Sequence, residues 1–162
     1  MKISISLLGS ALFLISYLAG GQTVAAQTPT TANLINAQDY KFDAQTAIPM
    51  GGPTKHLTGS SYDLTVSKDS VVAYLPYFGR AYSAPIDPTK GGIQFTSTKF
   101  QYTVTPTKKG GWEIAIKPTD VQDVSQLFLS VSSDGYASLR ITSINRQSIS
   151  YSGEIVKRRR KK

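Results

Sequence analysis

Between Tyr62 and Ile155 apolar and polar residues alternate with a period of two, and that rhythm leaves few folds open. Tyr62, Leu64 and Val66 point one way while Asp63, Thr65 and Ser67 point the other; Lys68-Asp69 then marks a tight turn. A second run, Val71 to Tyr77, gives way to irregular chain with Pro85, Pro88, Gly91 and Gly92. Ile93 to Thr105 reads as one long strand, and Lys108-Lys109-Gly110-Gly111 as a hairpin turn whose glycines supply positive φ. Trp112, Ile114 and Ile116 face a core opposite Glu113 and Lys117. Leu127, Leu129 and Val131 repeat the pattern, Asp134-Gly135 is a two-residue hairpin signal, and Ala137, Leu139 and Ile141 repeat it again. After a turn at Asn145-Arg146-Gln147, Ile149, Tyr151 and Ile155 close the domain. Upstream, Tyr40, Phe42 and Ala44 alternate as a first strand would, Asn33 to Asp39 could form one helical turn, and Ile48 to Gly59 is a loop.

The result is an all-β chain of about eight strands joined mostly by short turns. One apolar face per strand is the mark of an antiparallel sheet with a wet side, and no connection is long enough for crossover helices. Such a sheet must curl or fold over to hide its apolar face and its edges. An antiparallel up-and-down meander, curled or barrel-like, is expected, with a β-sandwich as the alternative.

The N-terminus reads as an address. Lys2 is followed by an uncharged, largely apolar stretch from Ile3 to Ala19, and Val24-Ala25-Ala26 before Gln27 resembles a cleavage site. Ser4, Ser6, Gly9, Ser10 and Ser16 interrupt the stretch, which favours a cleaved signal over a membrane anchor. The expected organisation is a signal peptide (1–26), a flexible lead-in (27–38), a single β domain (39–156) and a disordered basic tail (157–162). With no cysteine there are no disulfides, no thiolate metal site and no lipidation at the signal boundary, so a soluble periplasmic protein is expected.

The net charge of +8 is mostly tail. Lys157, Arg158, Arg159, Arg160, Lys161 and Lys162 hold six of the 18 cations and Lys2 one more, which leaves 11 against 10 acids in the domain. The tail could meet an anionic membrane surface or lipopolysaccharide, or stand solvated and inert. Nucleic acid is not an expected partner of an exported chain.

The densest unusual segment is Tyr74-Leu75-Pro76-Tyr77-Phe78-Gly79-Arg80-Ala81-Tyr82. Tyr74, Tyr77, Phe78, Arg80 and Tyr82 are the candidate ligand-binding residues, because tyrosine offers an apolar face with a polar tip and arginine a planar fork. In the plainer reading the strand leaves the sheet at Pro76, the aromatics plug one end of the core and Arg80 bonds backbone carbonyls. Gly79 marks a place where a Cβ would not fit.

That string, with Gly91-Gly92-Ile93-Gln94-Phe95, Gly110-Gly111-Trp112, Gly135-Tyr136-Ala137 and Ile149-Ser150-Tyr151-Ser152-Gly153, resembles the domain-of-unknown-function family numbered 4251, small exported proteins of Gram-negative bacteria. The likeness runs from about Tyr40 to Ile155; it implies an exported location and a shared fold, and no activity. The basic tail is not part of it.

Catalytic chemistry finds little support. His56 is the one histidine, in a Gly/Pro/Thr-rich loop, with no nucleophile elbow to serve. Asp120 and Asp123 read as turn caps beside Pro118-Thr119 rather than as a calcium loop. The two glutamates, Glu113 and Glu154, fall on the polar phase of their strands. No catalytic residue, metal site or cofactor is expected. The leading expectation is a non-catalytic binding domain that holds a small amphiphile or a glycan at the barrel mouth. A structural or assembly partner in the cell envelope is second, and a carboxylate-dependent hydrolase the weakest.

Overall fold

The computed structural model describes residues 30–58, 62–82 and 91–159. The expected signal peptide, the start of the lead-in, Pro85 and the last three tail residues lie outside the described residues. A short helix, α1 (Thr31–Ala37), precedes ten strands: β1 (Tyr40–Pro49), β2 (Lys55–His56), β3 (Asp63–Val66), β4 (Val71–Leu75), β5 (Ile93–Ser97), β6 (Phe100–Pro106), β7 (Trp112–Pro118), β8 (Val124–Val131), β9 (Tyr136–Ser143) and β10 (Ile149–Lys157).

All pairings are antiparallel, in the order β5-β4-β3-β1-β10-β9-β8-β7-β6, with β2 held against the far half of β1. The sheet is nearly closed and barrel-shaped. Apart from β2 and the β5–β6 break, strands pair with their neighbours along the chain, and the last returns to the first, β10 running beside β1 from Tyr40↔Lys157 to Pro49↔Ile149. This is the expected meander, and the barrel rather than the sandwich is what forms.

The stretch 93–105, expected as one strand, is broken at Thr98-Lys99. β4 and β7 are six antiparallel steps apart, so they run in the same sense. β5 opposes β4 and β6 opposes β7, so β5 and β6 also share a direction. Two residues cannot carry a chain back for parallel pairing. They are therefore successive halves of one bent strand, the first laddered only to β4 and the second only to β7. This break and the two-residue β2 account for ten strands instead of eight.

Inward residues fill the barrel. Tyr40, Phe42, Leu64, Ile114, Ile116, Leu127, Leu129, Leu139, Ile141 and Tyr151 are fully buried. Both glycine hairpins use one motif. Gly110 N–H bonds to Thr107 O and Gly135 N–H to Ser132 O, with each glycine at positive φ (81° and 91°) ending a three-residue loop. The two-residue loop expected at Asp134-Gly135 is thus longer by one residue.

Two boundaries need correction. Part of the expected lead-in is ordered, because α1 buries Leu34 and Ile35 against one end of the barrel and ends at Gln38 in the left-handed region. The basic tail begins later than expected: Lys157 belongs to β10, and the Arg158 Nε lies 2.7 Å from Asp39 Oδ1. The expected loop 48–59 also contains β2, where His56 sits exposed opposite Thr46.

Candidate functional site

The unusual aromatic segment lies at the barrel end opposite α1. β4 stops at Leu75 because Pro76 has no N–H for the ladder. The chain then crosses to the β9–β10 turn and is fastened there. Tyr151, rising through the interior, donates its hydroxyl to Pro76 O at 2.7 Å. Tyr77 Oη lies 2.9 Å from Arg80 O and 3.0 Å from Gln147 O. Gln147 N–H donates to Arg80 O, Tyr82 N–H donates to Asn145 O, and Ala81 bridges to Arg146. A Cβ on Gly79 would stand 2.3 Å from Tyr77 Oη, so the strap closes over its own tyrosine only with glycine there.

Arg146 is the cation of this cluster. Its guanidinium stands 5.3 Å from the Tyr77 ring centroid, donates to Gly92 O at 3.0 Å and pairs with Asp123 at 3.1 Å. Burial raises the pKa of Tyr77 and pushes that of Tyr151 up further, with Arg146 opposing both shifts. Both phenols therefore stay protonated and act as donors at neutral pH.

The five candidate residues divide. Tyr77 is half-buried and committed to the strap. Tyr74 is 49% exposed and stacks on Tyr62, with centroids 6.0 Å apart and planes 11° from parallel. These three tyrosines, with Pro76, Gly92 and Gln94, line a cleft of about 380 Å³. Phe78, Arg80 and Tyr82 do not line it; they face solvent farther along the strap. Arg80 bonds through its backbone, so the carbonyl contact expected of its side chain is made by Arg146 instead. Ile48, Met50 and Ile144 are exposed at this same end.

Sequence reasoning passed over Arg146 and Gln147, which read as an ordinary solvated turn. The contact of Tyr77 with Gln147 spans 70 residues, and no local pattern announces it. Tyr62 was legible only as a strand residue.

Asp120 has a structural role, and the two glutamates stand apart. Asp120 bonds the Ser97 hydroxyl and the backbone N–H groups of Thr98 and Lys99, so it caps the bend between β5 and β6. These bonds, that from Ser97 above all, lower its pKa to about 2. Glu113 and Glu154 stand on β7 and β10, three strands apart and roughly 15 Å at the backbone given the usual strand spacing. Glu154 turns toward Gln45 on β1, away from Glu113. Paired glycosidase carboxylates sit about 5–9.5 Å apart, a separation this placement does not favour. No three metal-binding side chains converge among the described residues. A larger, open groove of about 800 Å³ runs over the outer wall, floored by Ser130, Ser138 and Ser152, with Lys108, Lys109 and Tyr136 toward the helix-capped end.

No curated protein matches the chain. Among solved structures, the crystal structure of a DUF4251 family protein from Bacteroides eggerthii is similar, with 18% identity, 78% of this chain and 84% of that chain covered, and a TM-score of 0.58. That likeness speaks for the barrel fold alone. The family model described as a domain of unknown function (DUF4251) matches residues 22–155, and the chain belongs to that family.

Proposed function

We propose that the protein is an exported, periplasmic domain that binds a glycan without transforming it. The carrying observation is the Tyr62–Tyr74 stack at the edge of the tyrosine-lined cleft, with Tyr74 half exposed. An aromatic face of this kind packs on the C–H face of a sugar ring, while the Gln94 amide beside it offers hydrogen bonds to hydroxyls. A glycan is favoured over a small amphiphile because the barrel interior is occupied by Tyr40, Phe42, Tyr151 and their neighbours. The reading as a non-catalytic domain rests on the nearby acids being engaged: Asp63, opposite Tyr74 in the ladder, pairs with Lys41, and Asp123 with Arg146.

Calorimetric titration of the purified protein with peptidoglycan fragments and neutral oligosaccharides tests this reading. One of these should bind, and Tyr74→Ala should weaken it by about tenfold or more, the scale of one lost aromatic contact. Binding that ignores Tyr74→Ala, or no binding from either set, refutes the reading. Fractionation of the native cell tests the export: recovery in the cytosol would overturn it.

A further inference from the structure

The two ends of the barrel differ in chemistry. Of the seven large apolar side chains that the described residues expose most, six lie at the tyrosine end: Ile48, Met50, Tyr74, Phe78, Tyr82 and Ile144. The helix-capped end instead gathers cations from three separate segments. The β3–β4 turn contributes Lys68 and the β6–β7 turn Lys108 and Lys109, while the end of β10 carries Lys157, Arg158 and Arg159. Register places these segments together. Tyr40 pairs with both Val66 and Lys157, Trp112 with Val131, and Val131 with Ala137, while Ile155 N–H bonds to Gly135 O.

Asp39, Asp69 and Asp134 lie in the connections at this end, and Glu113 and Glu154 stand just behind it on the outer wall, Glu154 opposite Tyr136 and accepting from Gln45. Asp39 is bound to Arg158. Lys68, Lys108, Lys109, Lys157 and Arg159 are exposed and make no ion pair among the described residues. The sequence adds Arg160, Lys161 and Lys162 directly behind them. These cations are spread around a rim rather than converging on one point, so they suit a plane of anions better than a single small one. Tyr136, 64% exposed at the start of β9, supplies the amphipathic ring that favours a membrane–water boundary.

We infer that the helix-capped rim docks on the surface of an anionic phospholipid bilayer, holding the barrel so that the tyrosine cleft points away from the lipid. The tail alone would give a loose tether. The rim lysines turn the tether into an orientation, because Lys68 and Lys108-Lys109 must reach headgroups at the same time as Lys157 and Arg159. Docking is independent of the glycan reading, since it uses none of the cleft residues.

The test is co-sedimentation of the purified protein with vesicles of equal parts phosphatidylglycerol and phosphatidylcholine, against vesicles of phosphatidylcholine alone. The emission of Trp112, the single tryptophan and a residue of the docking end, gives a second readout. Binding to the anionic vesicles is expected, lost at high salt, with Trp112 quenched by brominated lipid. K68Q/K108Q/K109Q should weaken binding by about a hundredfold, the product of three charges near a membrane. Its thermal unfolding should match the parent, which excludes a folding defect. Equal binding to neutral vesicles would assign the attachment to apolar chain and overturn the docking. So would unchanged binding of the triple variant, which would leave the tail acting alone, or full displacement by inorganic phosphate, which would indicate a single-anion site. Tyr74→Ala should leave vesicle binding intact and K68Q/K108Q/K109Q should leave glycan binding intact, so each reading fails separately.

Discussion

The wall formed by β1, β10, β9, β8 and β7 and the bent strand formed by β5 and β6 belong to one sheet, yet they are held by different means. Every strand between β1 and β8 in that wall is laddered on both sides, and its inward residues Phe42, Tyr151, Leu139 and Leu129 are fully buried. In the bent strand each half has one partner. The inward residues of β6, Phe100, Tyr102 and Val104, are only partly buried. Polar ties compensate: Asp120 caps the bend, and Tyr102 Oη meets Tyr40 Oη at 3.1 Å across the interior. Continuous ladders let packing alone hold a wall, whereas a strand that switches partners needs specific hydrogen bonds at the switch.

The contrast can be broken at several points. Leu139→Ala, deep in the continuous wall, should cost about 2–5 kcal/mol in urea unfolding, because a fully buried side chain leaves a cavity. Val104→Ala on β6 should cost about 1 kcal/mol, since that side chain is only partly buried and leaves a smaller loss on truncation. Equal losses at the two sites would erase the distinction. Tyr40→Phe should remove about 1 kcal/mol through the lost Tyr102 bond, and nothing if that tie is idle.

Asp120 sharpens the comparison through pH. Its folded pKa of about 2 lies below the ordinary value near 4, so the unfolded chain binds more protons between them. Its stabilisation is whole above about pH 4 and fades as pH falls toward 2. Asp120→Asn should flatten that acid limb and speed hydrogen exchange at the Thr98 and Lys99 amides, while amides of β9 keep their protection. An unchanged acid limb would remove Asp120 from the closure. The smallest effect belongs to Glu113→Gln on the outer face, which should stay within about 0.5 kcal/mol in thermal unfolding.

Much of this molecule is written locally. The period-two alternation, the glycines of the two hairpins and Pro76 at the end of β4 are short-range constraints on φ, ψ and facing direction, so the all-β meander and most of its strands could be read from the chain. The unusual aromatic string was equally visible as a string. Its division was not: whether Tyr77 turns inward while Tyr74 stays half exposed depends on Arg146 and Gln147, some 70 residues away. Nor could Arg80 be told from Arg146, since both are arginines near turns and only packing decides which one covers a ring. The helix is legible only as a possible single turn at Asn33 to Asp39, because seven residues carry a weak helical signal, and the barrel end is what gives Leu34 and Ile35 somewhere to be buried.

The sequence by itself determined which faces of which strands must leave water, because alternation is a property of neighbouring residues. The tertiary structure alone decided where the long 93–105 strand bends, which acid caps that bend and which side chains meet at the tyrosine end. Those outcomes depend on closing a ring of strands, and ring closure brings together residues that no local preference relates.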